Sequence, residues 1–281
     1  MLLGLVAAPG PAAAQDRVIV YPRRSEAVLD PRDAYPVGLL QIALERAGIR
    51  ARVTPSDVVI EQPRAFRLMQ AGLGIDLVFA AGGPGHEGAG RLIPVPLTRG
   101  LLGHRLMLID RDRQGVLDAV RTIEDLRRFT FAQGTGWPDI AVLEAAGLIV
   151  STARYDLLFR LVATGRADLF PRGVHEAFAE IALRLPENPS LAVEQRMVLV
   201  YDRYDVFFFV RRSEEALAAA IEAGLRRAYD DGAFMAHFRG HPTMRDALAQ
   251  ARLAERRRIV ISNPLLTDAV DAIPQRFWES P

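Results

Sequence analysis

Residues 64–80, RAFRLMQAGLGIDLVFA, decide the architecture of this 281-residue chain. The apolar spacing predicts a helix over Pro63–Ala71 closed by Gly72, and Ile75–Ala80 predicts a strand apolar enough to be buried on both faces. Upstream, Arg17–Tyr21 (RVIVY) and Ile49–Thr54 predict two more strands, separated by a helix at Tyr35–Ala47 that ends at Gly48. Strands alternating with helices imply a parallel sheet. Downstream, GGPGHEGAG at residues 82–90 holds five glycines and predicts a flexible loop in place of a regular element. It leaves the strand at the end where open α/β sheets bind ligands.

A second α/β unit follows. His104–Asp110 (HRLMLID), Phe129–Ala132, a segment at 148–151 and Ala167–Phe170 read as strands. Between them lie helices at Thr122–Arg128, Ile140–Ala146 and Tyr155–Thr164; Thr122 and Asp125 have the spacing of a capping pair. This repeats the plan of the first unit. Met197–Tyr201 and Val206–Arg211 then read as strands, and Glu214–Tyr229 as a packing helix with an apolar stripe through Leu217, Ile221 and Leu225.

Composition narrows the chemistry. Lys+Arg 35 against Asp+Glu 34 gives a formal charge of +1, so no global field grips a polyanion and nucleic acid is not an expected partner. Every basic residue is Arg, which removes Schiff-base lysines and Gly-Lys-Ser phosphate loops. Without Cys there is no disulfide, thiolate nucleophile or Cys-based zinc site. The histidines at 86, 104, 175, 237 and 241 form no HExxH pair, and no Gly-x-Ser-x-Gly elbow is present, so no catalytic residue, metal or cofactor is expected. Residues 1–15, MLLGLVAAPGPAAAQ, have the apolar run and the Ala12-Ala13-Ala14 pattern of a secretory signal peptide, which points to a periplasmic location. The alternative is an Ala-rich terminus.

The stretch at 64–80, TIEDLRRFTFAQGTGW at 122–137, LVATGRADLF at 161–170 and FFFVRRSEEALAAAIEAGLRRAYDDGAF at 207–234 stand in a fixed order. In that order they resemble the family 3 solute-binding proteins, periplasmic type II receptors serving polar amino acid ABC transporters. DPRDAYP at 30–36, RGLLGHRLML at 99–108, FPRG at 170–173 and Asn-Pro-Leu-Leu at 263–266 resemble a divergent subgroup. The resemblance implies an α/β, two-lobed type II periplasmic binding protein fold, each lobe a mainly parallel sheet flanked by helices. Crossings are expected near Leu101–Leu106 and Val206–Val210, giving lobe 1 as 16–103 plus 211–281 and lobe 2 as 104–210. A small-molecule ligand would sit between the lobes, which close on it by a hinge motion. The implied partner is a membrane permease, or else a membrane sensor, and the receptor itself is expected to be a monomer. A dehydratase-type enzyme on the same fold is the rival reading.

Site residues follow from the same resemblance. The family's carboxylate-binding Arg after the third strand has no direct counterpart; Arg91 is nearest, with Gly82 and Gly83 either offering backbone amides to an anion or forming a solvated loop. The family's Gly-Thr turn carries over to Gly134 and Thr135, with Gly136 and Trp137 as neighbours; Trp137 either faces the ligand or packs in the core. Arg172 stands near the family's ammonium-binding acid, which favours an anionic ligand group. Tyr21 or Tyr35 would cover the ligand, Arg23 or Arg24 would reach an anion, and one of Phe207–Phe209 would face the cleft. His175 and Glu176 read as surface polar residues and Asp168 as structural.

Overall fold

The alternation of apolar strands and amphipathic helices builds two α/β lobes in the computed structural model, which describes residues 17–24 and 31–278. The expected signal segment at 1–15 lies outside the described residues. In chain order, the first part runs β1 (Arg17–Arg23), α1 (Pro31–Arg46), β2 (Ala51–Val59), α2 (Gln62–Ala71), β3 (Leu77–Ala81), α3 (Pro84–Ala89) and β4 (Arg91–Leu92). The middle runs β5 (His104–Asp110), α4 (Gln114–Leu117), α5 (Ile123–Leu126), β6 (Thr130–Gly134), α6 (Asp139–Ala145), β7 (Ile149–Ala153), α7 (Tyr155–Ala163), β8 (Phe170–Gly173), α8 (Val174–Arg184), β9 (Leu191–Val193) and β10 (Met197–Tyr201). The last part is β11 (Val206–Val210), α9 (Glu215–Asp230), α10 (Ala233–Gly240), α11 (Pro242–Ala251), β12 (Arg257–Ile261) and α12 (Asp268–Asp271). Among the described residues no helix is long and apolar enough to cross a membrane.

Lobe 1 pairs β1 with β2 in parallel and sets β3 beside β1, where the Asp76 amide donates to Val20 O at 2.9 Å. Strand β11 enters antiparallel between β3 and β4. Lobe 2 repeats this order: β7 lies parallel to β6, a Phe131–Leu169 bridge leads toward β8, and β5 enters antiparallel beside β8. The repetition expected from the sequence is therefore a repetition of topology. At the α1/α9 contact the helices touch backbone to backbone, since a Cβ on Gly224 would lie 1.9 Å from Ala43 O.

Several expected boundaries move. The glycine-rich segment is not a loop throughout: Pro84 opens the short helix α3, with the fixed φ that suits a first helical turn. The His86 ring stacks on Phe66 at 4.4 Å and its Nδ1 lies 2.8 Å from Ala81 O, contacts that offset the glycine entropy. The strand expected at Ala167–Phe170 is displaced to Phe170–Gly173, because the β5 register sets Leu106 opposite Arg172. Asp168 keeps its structural role, accepting the Thr130 amide at 2.8 Å and pairing with Arg113.

The lobe boundaries move as well. Val206–Val210, expected as a crossing at the end of lobe 2, is a lobe 1 strand, so the second crossing is 202–205. The tail does not stay in lobe 1: β12 extends the lobe 2 sheet beside β10, and Ala247 and Ala251 of α11 join the core of Phe159 and Ala177. The chain then returns, placing Val270, Ile273, Phe277 and Trp278 in the lobe 1 core. Pairing of β12 depends on a partner strand about 60 residues earlier, which local pattern does not display.

Candidate functional site

On the lobe 2 edge, β6 ends at Gln133 and Gly134, and the Thr135-Gly136-Trp137 turn leads into α6. A Cβ on Gly134 would lie 2.3 Å from the indole, so this glycine is the seat of Trp137. The half-buried indole stacks on Phe170 at 6.4 Å and lies beside Tyr155. Thr135 and Gly136 are exposed, but the Thr135 amide donates to Ala153 O at 3.0 Å. The amide that the Gly-Thr resemblance assigns to a ligand is thus held by the neighbouring strand.

Arg172 projects from β8 into a buried ion-pair cluster. Its Nε and Nη2 make a two-point contact with Glu180 at 2.6 and 2.7 Å, and Nη2 reaches Glu176 at 3.1 Å. Its guanidinium lies 5.0 Å above Trp137, and Tyr155 donates to Glu180 at 2.8 Å. Burial alone would lower the Arg172 pKa, but Glu176 and Glu180 outweigh it and hold the cation above its usual range. Burial would raise the Glu176 carboxyl; Arg172, then His175 and Arg105, instead hold it well below the usual carboxylate range. Glu176 also accepts the Gly173 amide at 2.9 Å. The surface role expected for His175 and Glu176 is therefore overturned: Glu176 bridges two cations, and the buried His175 Nδ1 has no hydrogen-bond partner.

A second cluster adjoins the first and was not foreseen. Arg105, 1% exposed, pairs with Asp139 at 2.5 Å and approaches Glu176 at 3.7 Å. Its guanidinium lies 4.9 and 5.2 Å from the Tyr201 and Tyr204 rings, and Tyr204 donates to Asp139 at 2.9 Å. The available signal was an Arg inside the otherwise apolar strand HRLMLID, since a buried cation demands a buried acid. Two guanidinium groups, Arg105 and Arg172, thus face three carboxylates, Asp139, Glu176 and Glu180.

On the lobe 1 edge, Tyr21 is buried in β1 and tilts against Phe79 at 5.9 Å. Arg24 lies 4.4 Å over the Phe79 ring, donates to Phe79 O at 2.9 Å and reaches Asp33 at 3.5 Å. Burial lowers the His175 pKa, and Arg105, Arg172 and Arg24 are the cations that lower it further. The Gly82 amide donates to Asp205 O at 3.1 Å, and Cβ atoms on Gly82 and Gly83 would meet Phe207 at 3.0 Å and Leu265 at 3.6 Å. These glycines admit neighbouring side chains.

Arg91 is a correction. It stands opposite Val210, which pairs with Leu77 at the start of β3, so it occupies the far end of the sheet from Ala81. There it is exposed, 3.9 Å from Glu215. Helix α3 carries the chain back along β3 before Arg91 is reached. Tyr35 belongs to the core, donating to Leu97 O at 2.6 Å and stacking on His237. Phe207, Phe208 and Phe209 are all fully buried against Trp278, Phe79 and Phe66.

Solved structures share this fold. An ancestral arginine-binding protein bound to arginine superposes with a TM-score of 0.56 at 15% identity, covering 80% of this chain and 97% of its own. The fold is that of the two-lobed periplasmic binding proteins of type II. A Salmonella typhimurium periplasmic binding protein described for high arginine specificity gives 0.53 at 15%, covering 83% and 98%. An ancestral amino-acid-binding protein, a precursor of cyclohexadienyl dehydratase, gives 0.55 at 14%, covering 80% and 94%. No family model matches the sequence, and no curated protein does.

Proposed function

We propose that this protein is a solute receptor that captures a small polar molecule between its lobes and hands it unaltered to a membrane permease. The observation that carries the reading is the repeated α/β topology of two lobes, with the buried Arg172–Glu176–Arg105 cluster on the strands of lobe 2. A similar ancestral arginine-binding protein is bound to arginine in one structure and to glutamine in another, which supports the amino-acid-like size and polarity of the solute. The anionic ligand expected from Arg172 loses its ground, because Glu176 and Glu180 already neutralise that cation. A cluster with three carboxylates to two guanidinium groups favours a solute bearing a guanidinium or ammonium group.

The test is a thermal-shift series with arginine, glutamine, dicarboxylates and inorganic phosphate, followed by mass spectrometry of the recovered solute. A solute at 100 times its Kd adds about 2.7 kcal/mol of stability. Stabilisation by arginine, recovered unchanged, is the expected result. Stabilisation by dicarboxylates or phosphate alone overturns the charge assignment, and chemical conversion of the solute overturns the receptor reading.

A further inference from the structure

Among the described residues three non-glycine residues adopt positive φ: Arg99 (57°), Arg203 (44°) and Arg252 (45°). Two of these lie in the segments that join the lobes, Arg99 before β5 and Arg203 between β10 and β11. A side chain bearing a Cβ is strained in this region, and such strain persists only where surrounding contacts impose it. Both guanidinium groups bind main-chain carbonyls of one short stretch of the C-terminal tail. Arg99 donates to Arg276 O at 3.3 Å and Trp278 O at 3.2 Å, and Arg203 donates to Asp271 O at 2.8 Å and Ile273 O at 3.0 Å. Arg203 also lies 5.7 Å over the Trp278 ring, which packs edge-on against Phe207 and sits 3.2 Å from where a Gly100 Cβ would be.

The same tail is anchored in both lobes. Upstream of it, β12 is a strand of the lobe 2 sheet, and Arg256 pins its start by donating to Ala251 O at 2.6 Å and Met197 O at 3.1 Å. Asn263 then turns the chain, its side chain accepting the Leu265 amide at 2.9 Å. Leu265 packs on the lobe 2 cluster and at Gly83, and Leu266 packs on lobe 1. The Thr267 hydroxyl donates to Glu87 at 2.8 Å.

We infer that residues 262–278 form a clasp across the hinge, and that Arg99 and Arg203 hold both crossings in a strained backbone through it. Hinge opening requires changes of φ and ψ in the crossings. The clasp opposes them, limiting how far the lobes separate before a solute arrives. The proposal rests on the closing-cleft reading for its purpose, but its test needs no solute, so the two fail separately.

The chain has no cysteine, so Asp57→Cys and Asp156→Cys, at exposed positions on the two lobes, give a unique pair of spin labels. The interlobe distance is measured by pulsed electron resonance without solute. The double variant Arg99→Gly/Arg203→Gly keeps positive φ accessible while removing both guanidinium groups. It is expected to lengthen and broaden the distance distribution, as is Trp278→Ala, whereas Arg99→Lys/Arg203→Lys, which keeps a donor on each side chain, stays close to the parent. A glycine variant with the parent's distribution overturns the clasp. A lysine variant as open as the glycine one removes the carbonyl contacts as its cause. The single variant Arg203→Gly, which leaves the Arg99 contacts in place, reads the same distance should the double variant not fold.

Discussion

Asp205, in the second crossing, accepts the backbone amide of Gly100, in the first, at 2.7 Å. The same buried carboxylate accepts the Thr98 amide at 3.0 Å, the Thr98 hydroxyl and the Val206 amide at 2.7 Å, so one side chain ties both crossings together. Burial pushes its pKa up to about 6, against the Thr98 hydroxyl and the surrounding amides, which pull it down. An acid whose folded pKa is raised binds its proton more tightly when folded. Its contribution is present below the unfolded value near 4 and is lost as pH rises through about 6. Relative to Asp205→Asn, the parent should therefore lose about 2 kcal/mol of stability between pH 4 and pH 7. Urea unfolding of both proteins across that range checks this; a constant difference rejects it.

Arg172 is held as part of the lobe 2 core, which changes what its removal should do. Arg172→Ala leaves Glu180, 4% exposed, without its cation and Glu176 with Arg105 alone, and breaking such a buried pair from one side costs about 3–5 kcal/mol. Removing both charges as Arg172→Ala/Glu180→Ala should recover part of that loss. Denaturant midpoints of the two variants decide it: a double variant less stable than the single one by the full cost of a second deletion would show that the residues act independently.

Much of the fold was legible because its signals are local. The repeated strand–helix alternation, the Gly72 stop and the Thr122–Asp125 capping box all stand in the structure as read. What could not be read locally was where the late segments go. FFFVRR reads as a strand whether it closes lobe 2 or opens lobe 1, and RRIVI gives no sign that it pairs with Met197–Tyr201. The chemistry around Arg172 was not legible, because the neutralising Glu180 lies eight residues further on, in α8, and Asp139 of α6 pairs with Arg105 of β5, far away in the chain.

Arg91 should be silent. It is half exposed, its nearest acid is 3.9 Å away on an exposed Glu215, and such pairs contribute about 0–1 kcal/mol. Arg91→Ala is expected to leave both the melting temperature and the affinity for the solute that stabilises the parent unchanged. Calorimetric titration checks the second; a loss of affinity of tenfold or more would return Arg91 to the site.

Gly103 packs directly against the backbone at the second crossing. A Cβ there would stand 2.6 Å from Tyr201 O and 2.9 Å from Tyr204 O, and both obstacles are backbone, with no flexible side chain to swing aside. Gly103→Ala must therefore push the first crossing away from the second. Overpacking of this kind costs about 1–3 kcal/mol. The displacement also lies between Asp205 with its partners on one side and Arg105 with the Tyr201 and Tyr204 rings on the other. The same substitution should consequently speed amide hydrogen exchange at Gly100 and Val206, the donors to Asp205, more than in the strands of either lobe. Exchange that rises uniformly across the chain would mean that Gly103 matters only for global stability.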